Sequence, residues 1–265
     1  MSLLLTKLIK YCPGLWLILR RLYPHLPFFL PHEESFYGFK HLAKSKDGLF
    51  VDVGANDGIS ALGFHRINPF YRIFSIEPNR FHEPALKKLK KEISGFDYLI
   101  AAAGDKNGPM VLYTPYYKAI CYNSAASFSR DFLLSNMERL FQSVPSIRDL
   151  KLKEEKVDVI KLDDLCLEPD IVKLDTEGYD YEILLGLTKT IENSRPVILV
   201  EYNRGTVQNI QSFFGDKEYG LFVYDRRVDM FSKFNDKREL GAYRNLQMVN
   251  VFCIPREKQE GLPMV

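Results

Sequence analysis

Two strand-like segments end in residues that suit the binding of a nucleoside. The first runs from Leu49 to Val53 as an apolar strand and passes into a turn that contains Gly54 and Gly58. The second is also apolar and ends at Glu77. The carboxyl ends of parallel strands meet at one edge of a sheet, where a glycine turn admits a ligand to the backbone and the next helix offers free amide groups. We expect Glu77 to accept hydrogen bonds from both ribose hydroxyls.

The spacing of the glycines argues against a dinucleotide. That fingerprint would place glycines at positions 54, 56 and 59, whereas this chain has Gly54, Asn56 and Ile59. The small residue that brings a pyrophosphate against the backbone is therefore missing. The pattern from Asp52 through Gly54 and Asn56 to Gly58 instead resembles motif I of the class I S-adenosylmethionine (SAM) methyltransferases. This resemblance implies that the turn holds the methionine part of SAM and that the acidic residue of the second strand holds the ribose.

A second group of residues extends the resemblance to one family. Asp175 ends another apolar strand, and Glu177 follows just before Gly178. The blocks that carry the resemblance are 51–56, 161–165, 171–187 and 198–201. In this order they resemble the FkbM family of SAM-dependent methyltransferases, over about positions 48–203 with a divergent stretch at 116–156. The resemblance implies a SAM cofactor and, most often, methylation of a hydroxyl on a sugar, a glycolipid or a secondary metabolite.

The same resemblance implies which residues bind the cofactor. They run from the methionine end through the ribose to the adenine, and by position they are Asp52, Gly54, Asn56, Gly58, Glu77, Pro78, Ala101 and Ala102. Asp105 is a further candidate near the adenine amine. An aspartate would also serve the conformation of a turn at this point, so the two interpretations of Asp105 stay open.

Methyl transfer to a hydroxyl requires a group that takes or acidifies the hydroxyl proton. The sulfonium donor is already activated, so the protein must align the reacting atoms and exclude water. Asp175 and Glu201 end strands on the ligand side and are the first candidates for a base, with Glu177 as the third. Three carboxylates at one place would also suit a divalent cation that binds a diol. Alternatively, Asp175 and Glu177 cap the next helix and Glu201 is a structural ion-pair partner.

The alternation of strands and helices indicates how these residues are positioned. Strands are predicted at 49–53, 72–77, 98–102, 170–175 and 196–202, with closing strands at 221–224 and 248–254. Helices are predicted at 59–67, 80–93 and 179–187. This order predicts an α/β fold with a doubly wound, mostly parallel, Rossmann-like methyltransferase sheet and a closing antiparallel strand.

The alternation is interrupted after the third predicted strand. Residues Asp105–Gly108 are typical of a turn, and the apolar residues 110–113 after it suggest a hairpin. We interpret about 116–156 as an insertion over the active site that supplies substrate contacts or a lid. Its tyrosines beside Asn123 and Ser124 are expected either to stack on a sugar ring or to pack under such a lid.

Composition and charge argue against several classes of protein. The chain has 265 residues, 46% of them hydrophobic, which is enough for one large domain with a sizeable core. Its 36 Lys and Arg residues nearly balance its 34 Asp and Glu residues, so nucleic acid is not expected as a partner. The four cysteines are far apart, which argues against a zinc site or a disulfide framework. We expect a cytoplasmic protein that acts on a small-molecule or glycan acceptor.

The N-terminal region differs from the rest of the chain. Residues 1–46 are predicted to be a basic, apolar helical extension, and residues 47–265 to be the methyltransferase domain. No acidic residue precedes Glu33. The uncharged runs are shorter than the roughly 20 residues that a membrane-spanning helix needs. The extension therefore either packs against the domain or makes peripheral membrane contact through residues 1–30.

Two other functions stay open at this point. A catalytically inactive binding protein would keep the methyltransferase fold, although the intact residues of both strand ends argue against a decayed site. A nucleotide-binding Rossmann-type enzyme would share the architecture but lacks the expected glycines. A calorimetric titration with SAM tests the first alternative, because an inactive scaffold would show no binding. Protection against heat by NAD rather than by SAM would favour the second.

Overall fold

The computed structural model describes residues 33–117, 120–134, 151–203, 207–234 and 248–265. The predicted extension is therefore seen only from Glu33 onward, and the hypothesis of membrane contact through residues 1–30 lies outside the described residues. Within the described ranges, no helix has both the length and the apolar character needed to cross a bilayer.

The strands of the described residues fall into two sheets. In chain order they are β1 (Leu49–Val53), β2 (Arg72–Ile76), β3 (Phe96–Leu99), β4 (Ala102–Gly104), β5 (Gly108–Tyr117), β6 (Ile120–Cys121), β7 (Lys151–Lys161), β8 (Ile171–Leu174), β9 (Val197–Asn203), β10 (Tyr219–Asp225), β11 (Met230–Lys233) and β12 (Met248–Pro255). The first sheet has the order β11-β10-β12-β9-β8-β1-β2-β3, and the second has the order β4-β7-β5-β6.

The first sheet is mostly parallel. Parallel pairing joins β3, β2, β1, β8 and β9. Strand β12 lies between β9 and β10 and runs antiparallel to both. Every residue of β1 is buried, as expected for a strand covered on both faces. The predicted α/β, Rossmann-like fold with a closing antiparallel strand is confirmed, and the edge strand β11 is an addition that the sequence pattern did not indicate.

Helices cover both faces of the first sheet. They are α1 (Phe39–Leu42), α2 (Ile59–Ile67), α3 (Glu83–Glu92), α4 (Asp180–Leu185), α5 (Thr188–Ser194) and α6 (Val207–Gly215). Phe39, Phe64 and Leu86 from α1–α3 share one buried cluster with Phe50 of β1. The next residue, Val51, belongs to the cluster on the other face, together with side chains from α4–α6. Because strand side chains alternate between faces, one strand contributes to both cores, as in a doubly wound sheet.

The second sheet corrects two predictions. The strand predicted at 98–102 is split, because the chain leaves the first sheet after Leu99 and begins β4 of the second sheet at Ala102. The hairpin predicted around Asp105–Gly108 is also wrong. Strands β4 and β5 do not pair with each other but lie on either side of β7, which is parallel to β4 and antiparallel to β5. The turn signal was local, whereas the pairing partner lies far along the chain.

Close backbone contact holds the second sheet against the first. A Cβ atom at Gly186, just after α4, would lie 1.9 Å from the carbonyl oxygen of Gly104 in β4, so no larger residue can be placed there without moving the strand. Asp163, just after β7, accepts hydrogen bonds from the backbone N–H groups of Lys189 and Thr190 at 3.1 and 2.9 Å. Its carboxylate therefore fixes the first turn of α5.

The described part of the predicted extension packs into the core. Phe36 and Phe39 are buried, and the Phe39 ring makes edge-to-face contacts with Phe50, Phe64 and Phe252 at centroid distances of 5.8, 5.2 and 5.3 Å. Residues Glu34–Gly38 form a 3-10 helix that leads directly into α1. This segment therefore contributes to the hydrophobic core of the domain.

Candidate active site

The carboxyl ends of β1, β2 and β8 border a cleft. Because β1 lies between β2 and β8, the strand order reverses at β1, and a crevice opens at this edge of the sheet. The empty space in and in front of the cleft, open solvent included, is about 540 Å³. Most of the predicted site residues line it, namely Gly54, Asn56, Glu77, Pro78, Ala101, Ala102, Asp175 and Glu177. Asp52, Gly58 and Glu201 are not among the lining residues.

The turn after β1 depends on Gly54. Its φ angle is +77°, and a Cβ atom there would lie 1.9 Å from the carbonyl oxygen of Asp175. The N–H group of Gly54 donates to the carbonyl oxygen of Ile76 at 3.0 Å, so the ends of β1, β2 and β8 touch through the backbone. Asn56 has φ +54°, a left-handed conformation that asparagine tolerates better than most residues, and Gly58 is the N-cap of α2.

Glu77 is a buried carboxylate in a fixed orientation. Its Oε2 accepts from the N–H group of Asn56, and its Oε1 accepts from the N–H group of Asn79, both at 2.8 Å. Burial raises the pKa of Glu77 to about 7, although the two backbone N–H groups act in the opposite direction. Each carboxylate oxygen can accept a further hydrogen bond, so both stay usable by a ligand in the cleft.

A buried lysine lies beneath the cleft. Lys173 of β8 has its Nζ atom 3.3 Å from Asp52 Oδ1 and 3.3 Å from Asp175 Oδ2. Burial alone would lower the pKa of Lys173, but the negative charges of Asp175 and Asp52 outweigh it and the pKa is raised. Asp52 also accepts a hydrogen bond from Ser60 Oγ at 2.6 Å. Asp52 is thus placed to neutralise Lys173, whereas Asp175 reaches the cleft.

More carboxylates lie close to Asp175. Burial raises the pKa of Glu201 well above the usual carboxylate range, and the negative charges of Asp175 and Glu177 raise it further. Asp180 is fully buried at the start of α4, and burial raises its pKa to about 7. Its Oδ1 accepts hydrogen bonds from the N–H and hydroxyl groups of Thr176 at 3.1 and 2.8 Å. Asp180 thereby fixes the loop that carries Asp175 and Glu177.

A comparison with protein families shows the family to which this chain belongs. A family model described as the methyltransferase FkbM domain matches residues 52–231. The chain belongs to the FkbM methyltransferase family. The resemblance that the blocks from 51–56 to 198–201 indicated is therefore confirmed.

Solved structures of other methyltransferases are similar to this FkbM domain. A methyltransferase FkbM from Methylobacillus flagellatus KT is 17% identical, with 78% of this chain and 44% of that chain covered and a TM-score of 0.47. A precorrin-6y C5,15-methyltransferase from Geobacter metallireducens GS-15 is 16% identical, with 84% of this chain and 87% of that chain covered and a TM-score of 0.44. The present chain thus spans less than half the length of the Methylobacillus protein. No curated protein matches the chain.

The second sheet forms one wall of the cleft in this FkbM domain. Ala101 and Ala102 line the cleft as predicted, but they lie where the chain passes from β3 into β4, and β3 itself ends earlier. Asn123 and Ser124, from a 3-10 helix after β6, line the same cleft. Asp105 is outside the lining residues. The insertion therefore contacts the same space as Glu77.

Four residues near the cleft of the FkbM domain were not assigned a role from the sequence. They are Lys173, Asp180, Asn79 and Asn123. A signal was present for the first, because a lysine inside an otherwise apolar strand must have charged partners if it is buried. Asp180 and Asn79 follow predicted acidic residues closely, but only the folded chain shows that the Asn79 N–H donates to Glu77 and that the Asp180 carboxylate accepts from the N–H of Thr176, between Asp175 and Glu177.

The surroundings of the acidic residues bear on their alternative roles as helix caps, ion-pair partners or metal ligands. Helix α4 has Tyr179 at its N-cap position, with no capping hydrogen bond from that side chain, and begins at Asp180. Asp175 faces Lys173 in an ion pair. In the part of the chain that the structure describes, no three His, Cys, Asp or Glu side chains are grouped to hold a metal ion.

Proposed function

We propose that this protein is a SAM-dependent methyltransferase that methylates an acceptor hydroxyl on a sugar, a glycan or glycolipid precursor, or a secondary metabolite. The observation that carries the proposal is the pairing of two acidic groups across one cleft. Glu77 at the end of β2 is oriented by two backbone N–H groups, and Asp175 at the end of β8 is oriented by Lys173. A ligand with a diol at one end and a positive charge at the other matches both groups.

The residues in the cleft suit SAM. The ribose hydroxyls of SAM are donors that match the remaining acceptor positions of Glu77. Asn56 Oδ1 is buried with no partner among the residues that the structure describes, which would suit a donor such as the amino group at the methionine end. Ala101, Ala102 and Leu112 offer small and apolar contacts of the kind that a flat adenine ring needs. When bound, SAM supplies an activated methyl group on its sulfonium.

Among the three candidate bases, the surroundings favour Asp175. Its side chain is 36% exposed and lines the cleft, and Lys173 holds one of its oxygens. Glu201 is more deeply buried outside the lining residues, and its raised pKa keeps it protonated near neutral pH. Asp175 is therefore placed to accept the acceptor proton. Once Asp175 is protonated, Lys173 is still neutralised by Asp52.

The direct test combines binding and turnover. Calorimetric titration should show SAM binding to the wild-type protein, and labelled SAM with a panel of glycans, glycolipids and small alcohols should show methyl transfer. Asp175→Asn should lower kcat by about a hundredfold or more, because removal of a general base costs about that much. SAM affinity should fall by a smaller factor, because only the negative charge of Asp175 is lost while Glu77 still holds the ribose hydroxyls. Asp216→Asn, on the exposed turn after α6, is the matched control and should behave like the wild type.

Each possible failure of this test has a separate meaning. Absence of SAM binding, with stabilisation by NAD instead, would favour a nucleotide-binding Rossmann-type enzyme. SAM binding without transfer to any acceptor would favour a binding protein with the methyltransferase fold. Full turnover by Asp175→Asn, with a loss in Glu201→Gln, would move the role of base to Glu201. Loss of activity with a chelator would support the divalent cation that the sequence left open.

The remaining expectations about the protein are also proposals. We retain a small-molecule or glycan acceptor, a cytoplasmic location and no nucleic-acid partner, which are supported by the nearly balanced charge and the scattered cysteines. Peripheral membrane contact through residues 1–30 stays a prediction from the sequence.

A further inference from the structure

One wall of the cleft comes from the second sheet rather than from the strand ends that usually bind a nucleotide. Leu112 of β5 and the segment 123–128 line the same cleft as Glu77 and Pro78. This wall contains the apolar residues Ala126 and Phe128 and the polar residues Asn123 and Ser124. The second sheet therefore supplies both flat apolar surface and specific polar groups to the space next to Glu77, the proposed ribose position.

Asn79 connects this wall to Glu77. Its backbone N–H donates to Glu77 Oε1 at 2.8 Å, and its side-chain Oδ1 accepts from the N–H group of Phe81 at 3.1 Å. Its Nδ2 donates to the carbonyl oxygen and to Oδ1 of Asn123 at 3.4 and 3.3 Å. The backbone N–H and the side-chain amide N–H groups of this buried asparagine thus hold Glu77 and Asn123 relative to each other, while its Oδ1 binds the loop at Phe81.

The orientation of the Asn123 side chain leaves its donors for the cleft. Asn79 Nδ2 and Cys121 Sγ both donate to the Asn123 Oδ1 atom, at 3.3 and 3.5 Å. Every side-chain hydrogen bond of Asn123 among the described residues therefore uses its oxygen. The amide group still carries two N–H donors, and Asn123 lines the cleft.

We infer that Asn123 recognises the adenine of the cofactor, by donating a hydrogen bond from its side-chain amide to a ring nitrogen. This inference rests on the proposed function. A purine ring presents nitrogen acceptors at its edges, which match an amide N–H. The ionised form of Glu77 has only acceptors and so is suited to the ribose hydroxyls, whereas the small and apolar residues beside Asn123 suit the faces of a flat ring. Asn79 is then a positioning residue for both contacts.

A second contact keeps the wall in place without facing the cofactor. Ser127 Oγ donates to the carbonyl oxygen of Glu177 at 2.9 Å, and Ser127 pairs through its backbone with Tyr113 of β5. The wall is thus attached to the loop after β8 as well as to the loop after β2. A substitution at Asn123 alone should therefore leave the structure of this wall unchanged.

Binding of S-adenosylhomocysteine and its deaza analogues tests the inference. The analogues replace one ring nitrogen, at position 1, 3 or 7 of the purine, by C–H. Wild-type protein should bind one of them about tenfold more weakly than S-adenosylhomocysteine, which is the size of one hydrogen bond. Asn123→Ala should bind S-adenosylhomocysteine about tenfold more weakly and show no further loss with that analogue. Asn209→Ala, on the exposed face of α6, is the control.

The outcomes separate this inference from the proposed function. If wild-type protein binds neither SAM nor S-adenosylhomocysteine, the proposed function is wrong. If it binds both, but all three analogues bind as tightly as S-adenosylhomocysteine, the role of Asn123 is wrong and the methyltransferase proposal stands. An Asn123→Ala protein that loses affinity but still discriminates between the analogues would also overturn the role of Asn123. If that variant fails to fold, Asn123→Ser replaces it and the wild-type series remains decisive.

Discussion

The carboxylate of Glu77 combines burial with two short hydrogen bonds from the backbone. Burial raises its pKa from 4.5 to about 7, so in the free protein it carries a proton over much of the range between these two values. Because the folded state then binds more protons than the unfolded state, the contribution of Glu77 to stability falls as the pH rises through this range. Asp180 and Glu201 act in the same direction, since burial raises their pKa as well.

Burial favours the protonated form of Glu77 in the free protein, whereas ligand binding should favour the ionised form. Ribose hydroxyls donate to the ionised carboxylate, so SAM affinity should rise with pH up to about 7, where the carboxylate becomes ionised, and level off above it. Below that pH the loss should approach about tenfold per unit. Calorimetric titrations from acid to neutral pH measure this slope. Glu77→Gln should bind weakly at every pH and flatten the slope; an unchanged slope in this variant would assign the effect to Asp180 or Glu201.

Individual residues differ in how far the sequence alone reveals them. Gly54 and Glu77 were predictable, because each follows a strongly apolar strand at the ligand edge. Asp52 belongs to the same motif, yet its partner Lys173 lies far along the chain and meets it only through the parallel pairing of β1 and β8. No local pattern reports such a contact. The position of a motif residue is therefore easier to predict than its chemical surroundings.

At the level of elements, the segment before β1 is the least expected part of the core. The family match begins at residue 52, whereas Phe36 and Phe39 precede it and are buried. Four aromatic rings surround Phe39, including Phe36 at a centroid distance of 5.3 Å. Lys40 and His41 of α1 contact Asp229, between β10 and β11, at 2.7 and 2.8 Å. The segment thus connects the edge of the first sheet at β10 and β11 with the interior strands β1 and β12.

This packing predicts a large effect on stability. Phe39→Ala should lower the free energy of unfolding by about 3–5 kcal/mol, because it removes a fully buried ring from a close-packed cluster. Phe70→Ala is the control, since that ring is 76% exposed and its loss should be nearly neutral. Urea titration followed by circular dichroism measures both. A change below about 1 kcal/mol for Phe39→Ala would mean that the segment does not belong to the core.

Elements also differ in how well the sequence predicts them. The order of strand and helix from Leu49 to Glu92 was predicted to within a few residues, because each element carries its own hydrophobic period. The second sheet was not predicted as a sheet. Ala102 pairs with Val159, and Gly108 pairs with the same residue from the other side, so each pairing spans many residues of chain. Strand partners at such distances cannot be inferred from local alternation.

For the whole molecule, the cleft joins two sheets that are otherwise separate. Its lining combines the ends of β1, β2 and β8 with residues from β4, β5 and the segment after β6. A ligand that contacts residues from both sheets stabilises the folded state of both. At a concentration a hundred times its Kd, such a ligand adds about 2.7 kcal/mol to the free energy of unfolding.

Hydrogen exchange should show this joint effect. With saturating S-adenosylhomocysteine, amide protection should increase both in the turn 54–58 and in the segment 123–128, because both border the cleft. The β10–β11 hairpin lies at the far edge of the first sheet and serves as an internal reference. Protection confined to the turn 54–58 would show that the second sheet does not contact the ligand.

The parallel pairing of β4 with β7 determines which segment of this domain can be lengthened, shortened or exchanged. The chain departs from the main sheet into β4 and comes back from β7, and these two strands are immediate neighbours. The paired residues are Ala102–Gly104 and Val159–Lys161, so the excursion of the chain between them, residues 105–158, leaves and returns at neighbouring points, and its length can change while these two anchor points stay fixed. The same excursion carries Asn123 and its neighbours in the cleft. A chimera that exchanges this excursion to change acceptor choice must therefore also carry a replacement for Asn123, the residue that we propose contacts the adenine.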